Sequence, residues 1–179
     1  MKVVLIQYNS GNVQSVLYAL ERLGVEAELT DDPEKILSAD RVIFPGQGEA
    51  SSAMDYLKER KLDQVIREIK QPFLGICLGL QLLCAHSEEN DIDCLGIFPI
   101  KVKRFIPAAW EKVPHVGWNK IENIKENPLL NHLPDVRYLY YVGELVYTAR
   151  RQPGKASAIA ACRPSPSPIS RIVCTAAAR

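Results

Sequence analysis

The sequence predicts an α/β fold in which a mostly parallel sheet is flanked by helices. Short apolar runs of strand length alternate with segments of helical periodicity over residues 1–85. Such alternation is typical of parallel strands joined by crossover helices, with both faces of the sheet covered. At 179 residues, with 47% hydrophobic and 24% charged residues, the chain has the size and composition of one soluble globular domain.

Each predicted element follows from a local pattern in the first half of the chain. The strands are apolar runs, and the helices carry apolar residues at helical spacing. The predicted strands are Lys2–Gln7, Val25–Leu29, Arg41–Phe44 and Phe73–Ile76. The predicted helices are Val13–Leu23, a short one opened by Asp32-Pro33, Ala50–Ile69 and Leu78–Ala85. After Cys94 we expect short strands at Gly96–Phe98, Lys101–Phe105, Lys112–Trp118 and Tyr138–Val142.

The segment 72–83 carries the clearest chemical signal. A buried strand ends in Gly75-x-Cys77-x-Gly79, and a helical pattern follows at once. This is the layout of a nucleophile elbow, in which a sharp strand-to-helix turn exposes the reactive residue. The glycines give the strained turn room, and we expect the N–H groups of the new helix to favour the Cys77 thiolate. The alternative interpretation is a buried structural cysteine, which the flanking glycines make less favoured.

Composition and charge exclude several classes of protein. The chain has no signal peptide and no run of 18 apolar residues, so we expect a cytoplasmic protein without a membrane span. Its five cysteines have no paired spacing, which fits a reducing compartment, and three scattered histidines argue against a metal site. Residues 1–148 hold 16 Lys+Arg against 21 Asp+Glu, which argues against a nucleic-acid partner.

The segment Gly75-Ile-Cys-Leu-Gly-Leu-Gln81 resembles the nucleophile motif of class I glutamine amidotransferases. Two further segments narrow the resemblance to the glutaminase subunits of imidazole glycerol phosphate synthases. They are Tyr8-Asn9-Ser10-Gly11-Asn12 with Ser15, and Lys112-Val-Pro-His115-Val-Gly-Trp118-Asn119. The resemblance covers residues 1–142 and implies a flavodoxin-like fold that works without a cofactor.

The resemblance also implies roles for individual residues. The implied set is Cys77 as the nucleophile, Gly46, Gln47, Gly48 and Leu78 around the oxyanion, Gln81 and Glu89 on substrate L-glutamine, and Asn12, His115, Gly117, Trp118 and Asn119 facing a partner. The implied partner is a cyclase subunit, which forms a heterodimer with the glutaminase and receives ammonia. Each of these motifs also has an interpretation that does not use the resemblance. The loop at 45–48 is then interpreted as an ordinary turn, Glu89 as a surface residue, and the segment 115–119 as a strand in the core.

The resemblance stops after Val142. The family continues with a His-Pro-Glu segment that completes a Cys–His–Glu triad, whereas this chain has no histidine beyond His132. A thiol nucleophile needs a base for its proton and an acid for the departing ammonia. Residues 149–179 hold six basic and no acidic residues without helical or strand period. We therefore expect an incomplete amidotransferase domain over 1–148, with C-terminal strands missing or non-native, and a disordered tail over 149–179.

Several alternatives stay open at this point. The tail is either the product of a frameshift near codon 143, which the abrupt change inside a motif favours, or a natural variant. The function is glutamine hydrolysis for an imidazole glycerol phosphate synthase, or for another amidotransferase that would not need residues 112–119. The third possibility is a non-catalytic subunit that docks to the cyclase, which the missing His-Pro-Glu supports.

Overall fold

The computed structural model describes residues 1–104, 106, 115–121, 137–143, 145–149, 158–159 and 175–178. The first half contains β1 Val3–Ile6, α1 Val13–Arg22, β2 Ala27–Thr30, α2 Pro33–Leu37, β3 Arg41–Phe44, α3 Ala50–Glu59, α4 Leu62–Glu68, β4 Phe73–Gly75 and α5 Leu78–Leu83. It is followed by β5 His86–Ser87, β6 Ile92–Asp93, β7 Ile100–Arg104, β8 His115–Ile121, β9 Arg137–Gly143, β10 Leu145–Ala149, β11 Ala158–Ile159 and β12 Thr175–Ala178. Among these described helices, none has the length and apolar character needed to cross a membrane.

The first four strands form a parallel sheet in the order β4-β3-β1-β2. Its register pairs Val3 with both Ala27 and Arg41, and Val42 with Phe73. Because β1, β3 and β4 are neighbours, the loops that follow them meet at one edge, where ligands bind in open parallel sheets. The predicted α/β class is confirmed, and the turn at Tyr8, the loop at 45–48 and Cys77 lie at the same edge.

Both faces of this sheet are covered, because alternate residues of a strand point to opposite sides. Val4 and Ile6 belong to the larger buried cluster, together with residues of α3, α4 and α5. Val3 and Leu5 belong to a second cluster on the other face. The residues of α1 that pack there are Val13, Val16, Leu17 and Leu20. The helical spacing of these four residues in the sequence therefore corresponds to one partly buried face of α1.

The single helix predicted over Ala50–Ile69 is wrong, since the segment forms α3 and α4 with a break at Arg60 and Lys61. Leu57 and Leu62 are both buried, yet five residues of continuous helix would put them about 140° apart. Lys61 adopts a left-handed conformation (φ 58°), which turns the chain and brings Leu62 back to the core.

The predicted end of the elbow helix at Ala85 is also wrong. The helix ends at Leu83, because the following backbone groups pair with strands instead: Ala85 N–H donates to the Ile100 carbonyl at 2.9 Å. Residues His86 and Ser87 form β5, which pairs with β6 and β7. Among the other predicted strands, residues 96–98 form no strand, and the second strand begins at Ala27 rather than Val25.

Two short strands fall within the tail that the sequence predicts to be disordered. β12 pairs antiparallel with β4, with Ala176 opposite Gly75, and β11 pairs with β12. This pairing covers the edge of β4, whose backbone N–H and C=O groups would otherwise lack partners. The predicted boundary at residue 148 falls inside β10, which pairs antiparallel with β7. Residues 112–114 and the rest of the tail lie outside the described residues.

We expect Gly79→Ala to lower the free energy of unfolding by about 3 kcal/mol or more, because α5 packs directly on the backbone of β3. A Cβ at Gly79 would lie 1.8 Å from the carbonyl oxygen of Phe44, where only a backbone shift makes room. Gly24→Ala is the matched control, since its φ of +68° adds strain of about 1–2 kcal/mol but no atom lies within 4 Å. Urea denaturation measures both, and equal losses would contradict the clash.

Candidate active site

Cys77 lies at a strained turn between β4 and α5. Its backbone has φ 53° and ψ −114°, a conformation that non-glycine residues rarely adopt. Gly75 and Gly79 make the turn possible, because a Cβ at Gly75 would lie 2.8 Å from the Cα of Leu80. Cys77 is exposed at the edge of the sheet. The geometry is that of the nucleophile elbow predicted from the sequence.

The loop after β3, Pro45-Gly46-Gln47-Gly48, is tied to the turn after β1. The Tyr8 hydroxyl donates to the Pro45 carbonyl at 2.6 Å, and Gly11 N–H donates to the Gln47 carbonyl at 3.2 Å. Burial raises the pKa of Tyr8, so its hydroxyl stays a donor. In the sequence, Tyr8 and Gly11 are identified only as part of a segment that resembles the family, because their contacts with the loop depend on the neighbouring positions of β1 and β3.

A further carbonyl of the loop, that of Gly46, contacts the elbow. Leu78 N–H donates to the Gly46 carbonyl oxygen at 3.3 Å. The resemblance implies that Leu78 N–H stabilises an oxyanion, and in this structure that donor is occupied by the loop. Gly46 and Gly48 have φ of 152° and 133°, backbone conformations that favour glycine at both positions of the loop.

Gln81 and Glu89 contact each other next to the elbow. Gln81 is 4% exposed and lies one turn after Cys77, with its N–H on the Cys77 carbonyl at 3.1 Å. Its side-chain Nε2 donates to Glu89 Oε2 at 2.7 Å. The same Glu89 oxygen accepts the N–H of Ala50, at the start of α3, at 3.3 Å. Glu89 is half-buried rather than a free surface residue.

The protein around Cys77 raises the pKa of its thiol above the ordinary value. Desolvation by the neighbouring atoms is the largest cause, and the negative charge of Glu89 adds to it. The N–H of Leu78 acts in the opposite direction but is outweighed. The N–H at the start of the helix thus favours the thiolate, as the sequence predicts, but the net pKa of Cys77 is raised because the opposing causes are larger. At neutral pH the thiol needs a base.

The ring of His86 contacts carboxylates and is not shown in contact with Cys77. Its Nδ1 lies 3.1 Å from Asp93 and its Nε2 lies 3.2 Å from Asp91, across the β5–β6 hairpin. Both ring nitrogens therefore face carboxylates of its own hairpin. The side chain of His115 and all of His132 lie outside what the structure describes, so they supply no geometry for a base.

The residues implied at a partner interface occupy two places. Asn12 lies in the turn after β1, has φ 63° and accepts a hydrogen bond from the Ser15 hydroxyl. Gly117 and Trp118 lie on β8, which forms a separate two-stranded sheet with β9. Trp118 is 70% exposed. For His115 and Asn119 the structure describes the β8 backbone alone.

We expect brief alkylation of the folded chain with iodoacetamide at pH 8 to label Cys77 first, at least about tenfold faster than Cys84 or Cys94. Burial raises the pKa of Cys84 to about 12 and that of Cys94 to about 11, so both remain thiols. Because the pKa of Cys77 is also raised, its labelling rate keeps increasing as the pH rises above 8. Peptide mass mapping measures the rates, and equally fast labelling of Cys84 would refute the assignment.

Comparison with known proteins gives one consistent result. The model of the family "Glutamine amidotransferase class-I" matches residues 4–164. The imidazole glycerol phosphate synthase subunit HisH of Bacteroides thetaiotaomicron is 52% identical over 143 residues, which are 79% of this chain and 72% of that protein. The subunit HisH of Xanthomonas axonopodis pv. citri is 44% identical over 160 residues, 89% of this chain and 78% of that protein.

The structural comparison agrees with the sequence relatives. A crystal structure of a glutamine amidotransferase superposes with a TM-score of 0.65 at 20% identity, covering 87% of this chain and 77% of that one. The family model matches past residue 142, as far as residue 164, whereas the alignment with the Bacteroides thetaiotaomicron subunit spans 143 residues. The strand β10 gives this extension a structural basis, since five of its residues pair with β7. The chain belongs to the class I glutamine amidotransferase family, among the HisH subunits of imidazole glycerol phosphate synthase.

Proposed function

We propose that this chain binds L-glutamine at the edge formed by Cys77, the loop at 45–48 and the Gln81–Glu89 pair, and that Cys77 releases ammonia from it. The observation that carries the proposal is the direct contact of Gln81 with Glu89 beside an elbow cysteine. The relatives named HisH support the glutaminase subunit of imidazole glycerol phosphate synthase over that of another amidotransferase.

The Gln81–Glu89 pair has the polarity needed for the amino-acid end of glutamine. An ionised carboxylate only accepts hydrogen bonds, so the Gln81 atom that contacts Glu89 must be its NH₂ group. The carbonyl oxygen of Gln81 is then the free end of the amide. Together with the Glu89 carboxylate it gives a group of acceptors, which suits an α-ammonium and disfavours an anion.

The chemistry proposed for Cys77 proceeds through a thioester. The sulfur attacks the side-chain carboxamide carbon of glutamine, and the tetrahedral intermediate carries its negative charge on oxygen. Collapse of the intermediate, with transfer of the thiol proton to the departing nitrogen, expels ammonia, and water then hydrolyses the thioester to glutamate and the free thiol. Backbone N–H donors at such an oxyanion contribute about 3 kcal/mol each. For Leu78 N–H to act there, the Gly46 carbonyl has to release it.

A non-catalytic docking subunit is the second candidate, and the residues beyond 142 favour it. The His-Pro-Glu segment of the resembled family has no counterpart in residues 143–179. The described histidine His86 is held by Asp91 and Asp93. On this second candidate the chain keeps the nucleophile and the glutamine pair but moves no proton. The nucleotide sequence downstream of codon 142, read in three frames, separates a frameshift from a natural variant.

The partner we propose is the cyclase subunit of imidazole glycerol phosphate synthase, in a heterodimer that receives the ammonia. Two features support this partner: Trp118 on β8 is exposed, and the turn at Asn12 lies beside the loop at 45–48. Free Cys77, Cys84 and Cys94 are consistent with the cytoplasm as the compartment of this complex.

We expect the 179-residue chain to release ammonia from glutamine about 10² to 10⁴ times more slowly than a chimaera with a complete triad. The chimaera joins residues 1–142 to the corresponding C-terminal segment of the Bacteroides thetaiotaomicron subunit. The assay contains the cyclase subunit and its nucleotide ligand. Cys77→Ser in the chimaera is the control that assigns the activity to the elbow. Comparable turnover by both chains would mean that another base serves Cys77.

We expect the chain to co-purify with a cyclase subunit at micromolar concentration, and Trp118→Ala to weaken the complex about tenfold or more. A large exposed aromatic side chain is the kind of residue that anchors an interface. Leu23→Ala is the matched control, because Leu23 is 75% exposed at the end of α1. Titration by isothermal calorimetry measures the affinities. A complex that is indifferent to Trp118, or equally weakened by Leu23→Ala, would contradict this surface.

A further inference from the structure

Ser87 is a fully buried hydroxyl next to the proposed glutamine site. It lies on β5, is 0% exposed and is one of three buried polar residues in the described part of the chain, with Thr30 and Gln81. A buried hydroxyl costs free energy unless hydrogen bonds compensate it. Its Oγ accepts Gln81 Nε2 at 2.9 Å and Glu89 N–H at 3.2 Å. One oxygen atom therefore holds both members of the Gln81–Glu89 pair.

We propose that Ser87 is a positioning residue that sets the orientation of the Gln81 amide and the place of the Glu89 carboxylate for an incoming α-ammonium. The inference rests on the proposed function. It assigns to Ser87 no contact with the substrate and no part in the chemistry of Cys77.

The orientation of Gln81 follows from counting its hydrogens. The Nε2 group has two, and the structure directs one to Ser87 Oγ and the other to Glu89 Oε2. With both hydrogens in use, the carbonyl oxygen is the end of the amide that is left to accept a hydrogen bond from the substrate. Without Ser87, one hydrogen loses its acceptor and the amide can rotate, so a donor could meet the substrate ammonium.

The position of Glu89 follows from the turn that carries it. Asn90 and Asp91 have φ of 58° and 50°, so the β5–β6 connection is a tight turn of left-handed residues. Ser87 holds the inner side of this turn through Glu89 N–H, and Asn90 Nδ2 holds its outer side through Glu49 Oε1 and Ser51 Oγ. Without the bond from its N–H to Ser87, Glu89 is held only through its carboxylate, which contacts Gln81 Nε2 and Ala50 N–H.

The test is saturable labelling of Cys77 by a chloromethyl ketone analogue of L-glutamine, in which the sulfur displaces chloride. The half-saturating concentration reports recognition of the amino-acid end, and the maximal rate reports the thiol. We expect Ser87→Ala to raise the half-saturating concentration about tenfold, with the maximal rate and the iodoacetamide rate at Cys77 within about twofold of wild type. Ser87→Thr keeps the hydroxyl and should return the concentration to within about threefold.

Ser52→Ala is the matched control, because the Ser52 hydroxyl is exposed and donates to the Glu49 carbonyl on the same side of the molecule. An unchanged half-saturating concentration in Ser87→Ala would overturn the inference alone. Three other outcomes would also overturn it, because each indicates that Ser87 acts in packing. They are an insoluble Ser87→Ala variant, labelling of Cys84 in that variant, and a half-saturating concentration in Ser87→Thr that is raised as much as in Ser87→Ala. Wild-type labelling that neither saturates nor is blocked by L-glutamine would overturn the proposed function, and the role of Ser87 with it.

Discussion

The approach of Gly79 to the backbone of Phe44 is the contact on which the rest of the site depends. It brings α5 so close to β3 that no side chain fits between them. The chain must then leave β4 and enter the helix within two residues, which forces the unusual backbone angles of Cys77. Strain of this kind costs about 1–3 kcal/mol, and the complete burial of α5 offsets it. Exposure of the thiol is thus a consequence of helix-on-strand packing.

The charge of Glu89 affects the Cys77 thiol differently with and without a bound cation. Without substrate, desolvation and the Glu89 charge both keep the Cys77 thiol protonated. An α-ammonium bound at Glu89 would cancel that charge and remove one of the two causes. The remaining cause, desolvation, has to be overcome by a base, since Leu78 N–H alone does not outweigh it. In the proposed binding mode, the same carboxylate therefore raises the pKa of the thiol without substrate and stops doing so when substrate is bound.

Local patterns in the sequence predicted the parallel sheet, the elbow and the edge at which the loops meet, because apolar period and glycine spacing are local properties. They failed where a tertiary contact decides the outcome. The helix break at Lys61 depends on burying both Leu57 and Leu62, and the early end of α5 depends on strand pairing by Ala85. Ser87 and Tyr8 were not found as site residues, since a serine in a short strand and a tyrosine in a turn give no signal until their partners are placed.

The hairpin that carries Glu89 is fastened to the start of α3, and Gln81 sits on a helix whose every residue is buried. In the proposed binding mode, both groups that hold the amino-acid end are therefore fixed relative to the sulfur, and the site selects for the length of the substrate side chain. Asparagine held by the same α-ammonium contacts would present its carboxamide carbon one methylene short of Cys77. A misplacement on the order of 1 Å costs about a hundredfold in rate, so rigidity alone discriminates between the two amides.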